Sequence, residues 1–215
     1  MAVHLRSARA LVPAKRPDPR ALIPSELAGA RALARSRRRL GPVAGQLVQD
    51  AALAALIGGN LFGRVAMHPA LADVSDAAER GRVLNRAWRR YGTVNSLALA
   101  GLVSGWLSTR SDESAPLWTS PRRKSLVFAK DLAVGAVLAT GLASAAAGVG
   151  FAQQASDGAV PMRDGTEPAA ATPPRARSLK HVVNVLGGLN LAAELSLLGV
   201  DAWLSRSASR RLVAR

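Results

Sequence analysis

The sequence contains no cysteine among its 215 residues. That absence excludes disulfide bonds, thiolate-bound metals, iron–sulfur clusters and cysteine nucleophiles. Aromatic residues are also scarce, at 4%, so the chain has little from which to build stacking platforms for nucleic-acid bases. Acidic residues number 14 against 29 of Lys and Arg, and the formal net charge is +15. Because aromatics are few, we expect this positive charge to contact anionic lipid headgroups and predict no nucleic-acid partner.

Sequence motifs of soluble enzymes are lacking as well. The chain has no Gly-rich phosphate loop followed by Lys-Ser/Thr, no Gly-x-Ser-x-Gly elbow and no HExxH helix. The sequence therefore favours a non-enzymatic role, and it predicts no cofactor and no metal.

What the sequence does contain is four long apolar stretches. The first, residues 43–67, reads VAGQLVQDAALAALIGGNLFGRVAM and has no proline. At about 1.5 Å of rise per residue, a helix of this length crosses a hydrocarbon layer about 30 Å thick. Charged residues lie mainly between the stretches. We predict an all-α fold, a four-transmembrane-helix antiparallel bundle with a basic N-terminal extension and with spans at about residues 43–67, 92–108, 126–151 and 179–204.

Basic tails flank this membrane domain at 43–204. Residues 1–42 combine many arginines with several prolines, which predicts either a disordered tail or, from Ser25 onward, a basic helix on the membrane surface. Residues 205–215 form a second basic tail.

The connections differ from one another in composition. In the loop at 70–90, Ser75 followed by Glu79 predicts a polar helix. Residues 152–178 are rich in proline and alanine, which is typical of a flexible loop. Several aromatic and large apolar residues at the ends of spans are expected to lie at the membrane interface: Leu84, Trp88, Tyr91, Trp106 and Trp203.

Basic residues also predict the orientation of the chain. With four crossings, the N-terminal tail, the middle loop and the C-terminal tail share one side, and together they hold most of the flanking Lys and Arg residues. Positive charge favours the cytoplasmic side. Heavy use of Ala, Arg and Gly suggests a bacterial genome. We therefore predict a multi-pass protein of the bacterial plasma membrane with both termini in the cytoplasm.

Small residues spaced four apart occur in every predicted span. Lipid supplies no hydrophobic drive between helices, so small residues are expected where helices pack closely. The pairs are Gly59 with Gly63, Gly101 with Gly105, Ser144 with Gly148, and Gly188 with Ala192.

Polar side chains within the spans are the candidate functional residues. They are costly in lipid unless paired or hydrated, and they usually face the bundle interior. The layer nearest the cytoplasm would hold Gln46, Gln49, Asp50, Lys130, Asp131 and Asp201. The layer nearest the outer surface would hold Asn60, Arg64, His68, Asn95, His181 and Asn184, and Asn190 and Glu194 would lie between the two.

Helical spacing groups many of these residues on one face of two helices. On the first span, residues spaced by three and four are Gln46, Asp50, Leu53, Ile57, Asn60 and Arg64. On the fourth span they are Gly187, Asn190, Glu194, Leu197 and Asp201. We predict that these two faces meet or line one cavity.

Glu194 lies in the middle of the fourth span, and no basic residue lies near it on that helix. It is expected either to carry a proton or bind a substrate, or to hydrogen-bond Asn60 or Asn190 and fix the helix register. Lys130 is expected to form an ion pair with Asp50 or Asp131, or to reach the headgroups.

Two histidines, His68 and His181, lie where the first and fourth spans meet the outer surface. They are either a ligand pair for haem or a metal ion, or interfacial side chains that contact water.

The run GGNLFGRVAMHPAL, followed by a polar stretch and then WRRYG, covers residues 58–92. It resembles the first hairpin of small four-helix bacterial membrane proteins of the anthrone-oxygenase-like group. The resemblance implies a four-helix membrane fold. The long basic N-terminal tail and the Pro-rich third loop depart from that pattern, so no oxygenase activity is carried over.

The sequence leaves three predicted functions. The first is a non-enzymatic scaffold, assembly or envelope protein whose polar stripe is structural. The second is a small carrier or channel accessory that uses Glu194 and the intramembrane asparagines. The third is a membrane oxidoreductase acting on a quinone-like or aromatic molecule. The expected partners are the lipid bilayer and either a second copy of the chain or another membrane protein.

Overall fold

A computed structural model describes the backbone of residues 25–114 and 121–213 and the side chains of residues 43–110 and 121–206. The described chain is helical and contains no β-strand. Its four long helices confirm the predicted all-α class. They are α1 (Ser25–Phe62), α2 (Ala77–Ser114), α3 (Pro121–Ala152) and α4 (Pro174–Val213).

The chain divides into two compact units, Met1–Leu40 and Gly41–Arg215. In the first unit, residues 25–40 are helical. The predicted tail at 1–24 lies outside the described residues. The second unit contains the bundle.

The contacts between α1 and α2 show that the two helices run in opposite directions. Gly45 lies against Gly105 and Ser108, whereas Gly59, further along α1, lies against Tyr91, which comes earlier in α2. A Cβ on Gly105 would come within 2.6 Å of the Gly45 carbonyl oxygen. The two helices are therefore antiparallel, and they approach backbone to backbone at this glycine.

The other pairs of neighbouring helices are antiparallel as well. Side chains near the end of α2 bond α3 near its start. Lys130, near the start of α3, pairs with Asp201 late in α4, while Thr140 further along α3 bonds Asn190 earlier in α4. Asn60, late in α1, bonds Glu194 in α4. The helices thus form a closed ring in the order α1–α2–α3–α4, each antiparallel to the next.

Helix α2 begins earlier than the predicted span at 92–108. The Asp76 carboxylate accepts a hydrogen bond from the Glu79 backbone N–H at 2.7 Å, which caps the helix start. The polar helix expected after Ser75 and the second apolar stretch are therefore halves of one helix.

Residues 153–173 fold into a cap, which corrects the prediction of a flexible loop at 152–178. Val160 and Met162 are buried. The Met162 N–H donates to the Ala77 carbonyl at 2.9 Å, and the Gly165 N–H donates to the His68 carbonyl at 3.0 Å. The cap is thus hydrogen-bonded to the start of α2 and to the short helical segment that follows α1, a π-helical turn at Gly63–Met67 and an α-helical turn at His68–Ala70.

Two apolar cores result from this arrangement. One lies inside the bundle and includes Leu56, Leu102 and Val137. The other lies under the cap and includes Leu84 and Phe151. Leu84 was expected to enter the headgroup region, but it is buried in protein because the cap covers the first turns of α2.

Much of the outer face of the bundle is apolar. Exposed large apolar residues occur on all four helices, among them Leu47, Leu97, Leu132 and Leu198. Within the described chain, Pro121–Ala152 and Pro174–Arg206 are the helices long and apolar enough to cross a membrane, and only 17% of each apolar window is buried. Such low burial distinguishes them from core helices of a soluble protein. Both helices therefore support membrane association.

Candidate functional site: a polar seam inside the bundle

The polar seam consists of two layers of hydrogen-bonded side chains inside the bundle, named the Glu194 layer and the Asp201 layer. The Glu194 layer consists of Asn60, Thr140, Asn190 and Glu194. Asn60 Nδ2 donates to both Glu194 carboxylate oxygens, at 2.9 and 3.0 Å. Asn190 Nδ2 donates to Oε1 at 2.5 Å, and Thr140 Oγ1 donates to Asn190 Oδ1 at 2.8 Å. The layer joins α1, α3 and α4 through one carboxyl group that is fully buried.

This layer matches the hydrogen bonds expected for a register-fixing Glu194. The predicted faces of the first and fourth spans meet here. Among the described residues, no basic side chain forms an ion pair with Glu194; neutral amides are its partners instead. An isolated charge is costly away from water, and each amide N–H offsets part of that cost.

The Asp201 layer, two helical turns further along α4, consists of Gln49, Lys130 and Asp201. Lys130 Nζ lies 2.9 Å from Asp201 Oδ1, and Gln49 Nε2 donates to Asp201 Oδ2 at 2.5 Å. Lys130 and Gln49 are both 0% exposed. The ion pair joins α3 to α4, so the predicted pairing of Lys130 with Asp50 or Asp131 is wrong.

Asp50 points outward, which corrects its predicted place on the inner stripe. Its carboxylate is exposed and accepts a hydrogen bond from Gln46 Nε2 at 2.7 Å. The neighbouring Gln49 faces inward instead. One residue along an α-helix rotates a side chain by about 100°, so the inner face of α1 passes through Gln49, Leu53 and Leu56 at this level.

Asp131 faces α2 rather than the seam. It accepts a hydrogen bond from Trp106 Nε1 at 2.9 Å, and Arg110 Nη2 lies 2.7 Å away. Trp106 was expected at the membrane interface, but its indole N–H is used in this contact. Trp203 is exposed, and the Arg122 guanidinium lies 5.0 Å from its ring.

Four residues form a chain of contacts at the capped end of the bundle. Arg64 Nη2 donates to the Asn184 carbonyl at 3.4 Å, and Asn184 Nδ2 donates to the Thr166 carbonyl at 3.0 Å. Thr166 Oγ1 lies 3.3 Å from His68 Nδ1. Arg64 is exposed, so its predicted inward direction is corrected.

His68 is half-buried, and its ring lies edge-on to Trp88 at 5.9 Å between centroids. Burial, followed by the positive charges of Lys180 and Arg64, lowers the pKa of His68 to about 4. His181 is exposed on α4. The described residues contain no cluster of three or more His, Asp or Glu side chains able to hold a metal. Ligation by the pair His68 and His181 stays a prediction.

Aromatic rings pack against two glycines of the first span. Gly59 lies against Tyr91 and Gly63 against Trp88. The Tyr91 hydroxyl donates to the Ala55 carbonyl at 2.6 Å. The aromatic pair was expected in the headgroup region, but these side chains pack onto α1.

The inner partners that sequence reasoning missed are Thr140 and Tyr91, which have no charge to mark them. The sequence does not show whether a Thr within an apolar stretch, or a Tyr after a pair of arginines, faces protein or lipid. Asn95 is half-buried on α2. It was grouped with the outer layer, and it does not join the Glu194 layer.

The fold and the seam together define a class: an all-helical bundle with buried, mutually bonded polar groups and an apolar exterior. No protein-family model, curated protein or solved structure matches the chain. The resemblance of residues 58–92 to the anthrone-oxygenase-like group stays a prediction.

Proposed function

We propose that the chain is an integral membrane protein that crosses the bilayer four times and serves as a non-enzymatic scaffold, assembly or envelope component. The observation that carries this proposal is the inverted distribution of its side chains. Lys130, Glu194 and Asp201 are buried, whereas Phe128, Leu132 and Leu142 on the same bundle are exposed. Water would favour the opposite arrangement, and lipid favours this one.

Within the described chain, α3 and α4 contain the windows apolar enough for a membrane span. On α1, the polar residues Gln49 and Asn60 are hydrogen-bonded to α4. Trp106 on α2 is likewise bonded to α3. Helices whose polar groups are satisfied by neighbouring helices can cross a bilayer despite modest hydropathy.

A scaffold role is favoured because the inner polar groups bind one another. Glu194 is held by two amides, and Asp201 by Lys130 and Gln49. These contacts fix the relative positions of helices. We place the bundle in a bacterial plasma membrane, with the cap outside and both termini in the cytoplasm, because basic residues are denser at the opposite end.

Membrane fractionation tests the proposal. Membranes from cells expressing the full chain are washed with alkaline carbonate and then dissolved in detergent. We expect the protein to stay in the pellet through the carbonate wash and to dissolve in detergent. A peripheral protein carrying a similar net charge is the control and should be released by carbonate. Release of this chain under the same conditions would contradict membrane integration.

A second function, proton or polar-solute transfer, is favoured by one observation. Glu194 is a mid-bundle carboxyl whose partners in the described part of the chain are neutral amides. Reconstituted protein should then dissipate a proton gradient in liposomes. Glu194→Gln should abolish that flux, and Asp50→Asn, a change at an exposed carboxyl, should not. If neither protein shows flux above empty liposomes, Glu194 is structural.

A further inference from the structure

The capped end of the bundle holds two cations with few protein partners. Lys180 on α4 is 3% exposed, and its ammonium lies 5.8 Å from the centre of the Phe151 ring. Among the described residues it forms no hydrogen bond or ion pair. A buried ammonium needs a compensating group, and the Asp164 carboxylate acts on Lys180 without forming a direct ion pair within the described chain.

Arg64 supplies the second cation. Its guanidinium lies over the backbone of α4, with Nη2 at 3.0 Å from the position that a Cβ on Gly187 would occupy. Its one hydrogen bond within the described chain is the long contact to the Asn184 carbonyl at 3.4 Å. A guanidinium has five N–H donors in a fork that suits phosphate, so most of these donors remain for a ligand.

The two cations share one electrostatic environment. The charges of both act on the half-buried His68 ring. The acidic group nearby is Asp164, and its Oδ1 already accepts the backbone N–H groups of Thr166 and Glu167 at 2.5 and 2.8 Å. The corner therefore has an excess of positive charge and unused donors.

Apolar surface flanks the same corner. Phe62 and Val65, on either side of Arg64 in sequence, are 64% and 74% exposed. Val185 and Leu189 are exposed on α4 beside Asn184. A ligand held here would place its anionic group on the cations and its apolar part along two helix faces. A free inorganic anion would leave that apolar surface uncovered.

We propose that Arg64 and Lys180 bind the phosphate group of an anionic phospholipid at the capped end of the bundle, between the end of α1 and α4. Its acyl chains lie along Phe62, Val65 and Leu189. This site rests on the proposed membrane integration, because lipid reaches it from the bilayer. Basic pockets between membrane helices are known to take such headgroups.

Native mass spectrometry of the full chain in detergent tests the site. Delipidated protein is titrated with phosphatidylglycerol or with phosphatidylcholine of the same chains. We expect one phosphatidylglycerol to bind at least about tenfold more tightly than phosphatidylcholine, as one charge-assisted contact would give. Arg64→Gln with Lys180→Gln should remove that preference. Arg64→Gln alone, at an exposed residue, should reduce it.

The control is Arg89→Gln with Arg90→Gln, which removes the same charge from two exposed residues of α2. This variant should keep the preference. Equal loss in both double variants, or no preference in the wild type, would overturn the site. So would protection against thermal unfolding by inorganic phosphate equal to that by the lipid. Carbonate resistance of every variant separates a failed lipid site from a failed membrane assignment.

Discussion

Two buried carboxyl groups on α4 are stabilised in different ways. Asp201 faces an ammonium and an amide, whereas Glu194 faces amides. Hydrogen bonding of Glu194 to Asn60 or Asn190 was one of two predictions for this carboxyl, and helical spacing suggested it because these residues lie on faces defined by period 3.6. The partner of Lys130 was not predictable, since three aspartates stood within reach of it and only the helix rotation selects among them.

The buried ion pair gives the first prediction. Lys130→Met removes the ammonium from the buried Asp201 carboxylate and should destabilise the protein by about 3–5 kcal/mol, whereas the pair Lys130→Met with Asp201→Leu should recover most of that loss. Unfolding in mixed detergent micelles measures both. A single variant as stable as wild type would contradict the pairing.

The His68 ring gives the second prediction. Its pKa is about 4 in the folded protein, against 6.5 ordinarily. Between these pH values the unfolded chain binds a proton that the folded chain does not, so this group's stabilisation is complete above pH 6.5 and is lost as the pH falls toward 4. Thermal melts of His68→Gln should show a weaker fall than wild type over that range.

The matched control for this experiment is His181→Gln, because His181 is exposed on α4. That variant should retain the wild-type dependence on pH. An unchanged pH dependence in His68→Gln would show that the ring is not held neutral by the fold.

At the scale of elements, the four helices were predictable from apolar length, but their contacts were only partly so. Gly101 and Gly105 do allow a close approach of α2 to α1, as small residues predict. By contrast, nothing lies within 4 Å of the Cβ position of Gly148, so the predicted pair with Ser144 has no helix against it. In a chain rich in Ala and Gly, spacing cannot tell a packed glycine from an open one.

Glycine substitution gives the third prediction. A Cβ at Gly105 would meet the backbone of α1, which cannot yield as a side chain can, so Gly105→Ala should cost about 1–3 kcal/mol of unfolding free energy. Gly135→Ala on α3 has open space around it and should be neutral or slightly stabilising, as alanine favours helix. Equal melting temperatures for the two variants would contradict the α1–α2 contact.

The cap was the element least accessible to sequence reasoning. Its prolines and charges suggested a loop without packing, because composition reports local preference only. Val160 and Met162 are buried by contacts with α2, which starts more than 80 residues earlier in the chain. Long-range hydrogen bonds such as that from Asn85 Nδ2 to the Gly158 carbonyl, at 2.7 Å, leave no local sequence signal.

In the molecule as a whole, the proposed topology has all four helices crossing the bilayer. Among the described residues, hydropathy identifies α3 and α4 as candidate spans. The claim for α1 and α2 rests on their hydrogen bonds to those helices and on their exposed apolar faces. A chain in which only α3 and α4 cross would leave the apolar faces of α1 and α2 in water.

Single-cysteine labelling tests the four-span topology, and because the sequence contains no native cysteine, each introduced thiol is the one labelled. An impermeant maleimide is applied to intact and to permeabilised spheroplasts carrying one substitution to Cys at an exposed position: Gly41, Asp73, Lys124, Glu167 or Arg206. We predict labelling of Asp73→Cys and Glu167→Cys in intact spheroplasts, and of the other three only after permeabilisation. Labelling of Asp73→Cys and Lys124→Cys from the same side would show that α2 does not cross, and would contradict the four-span account.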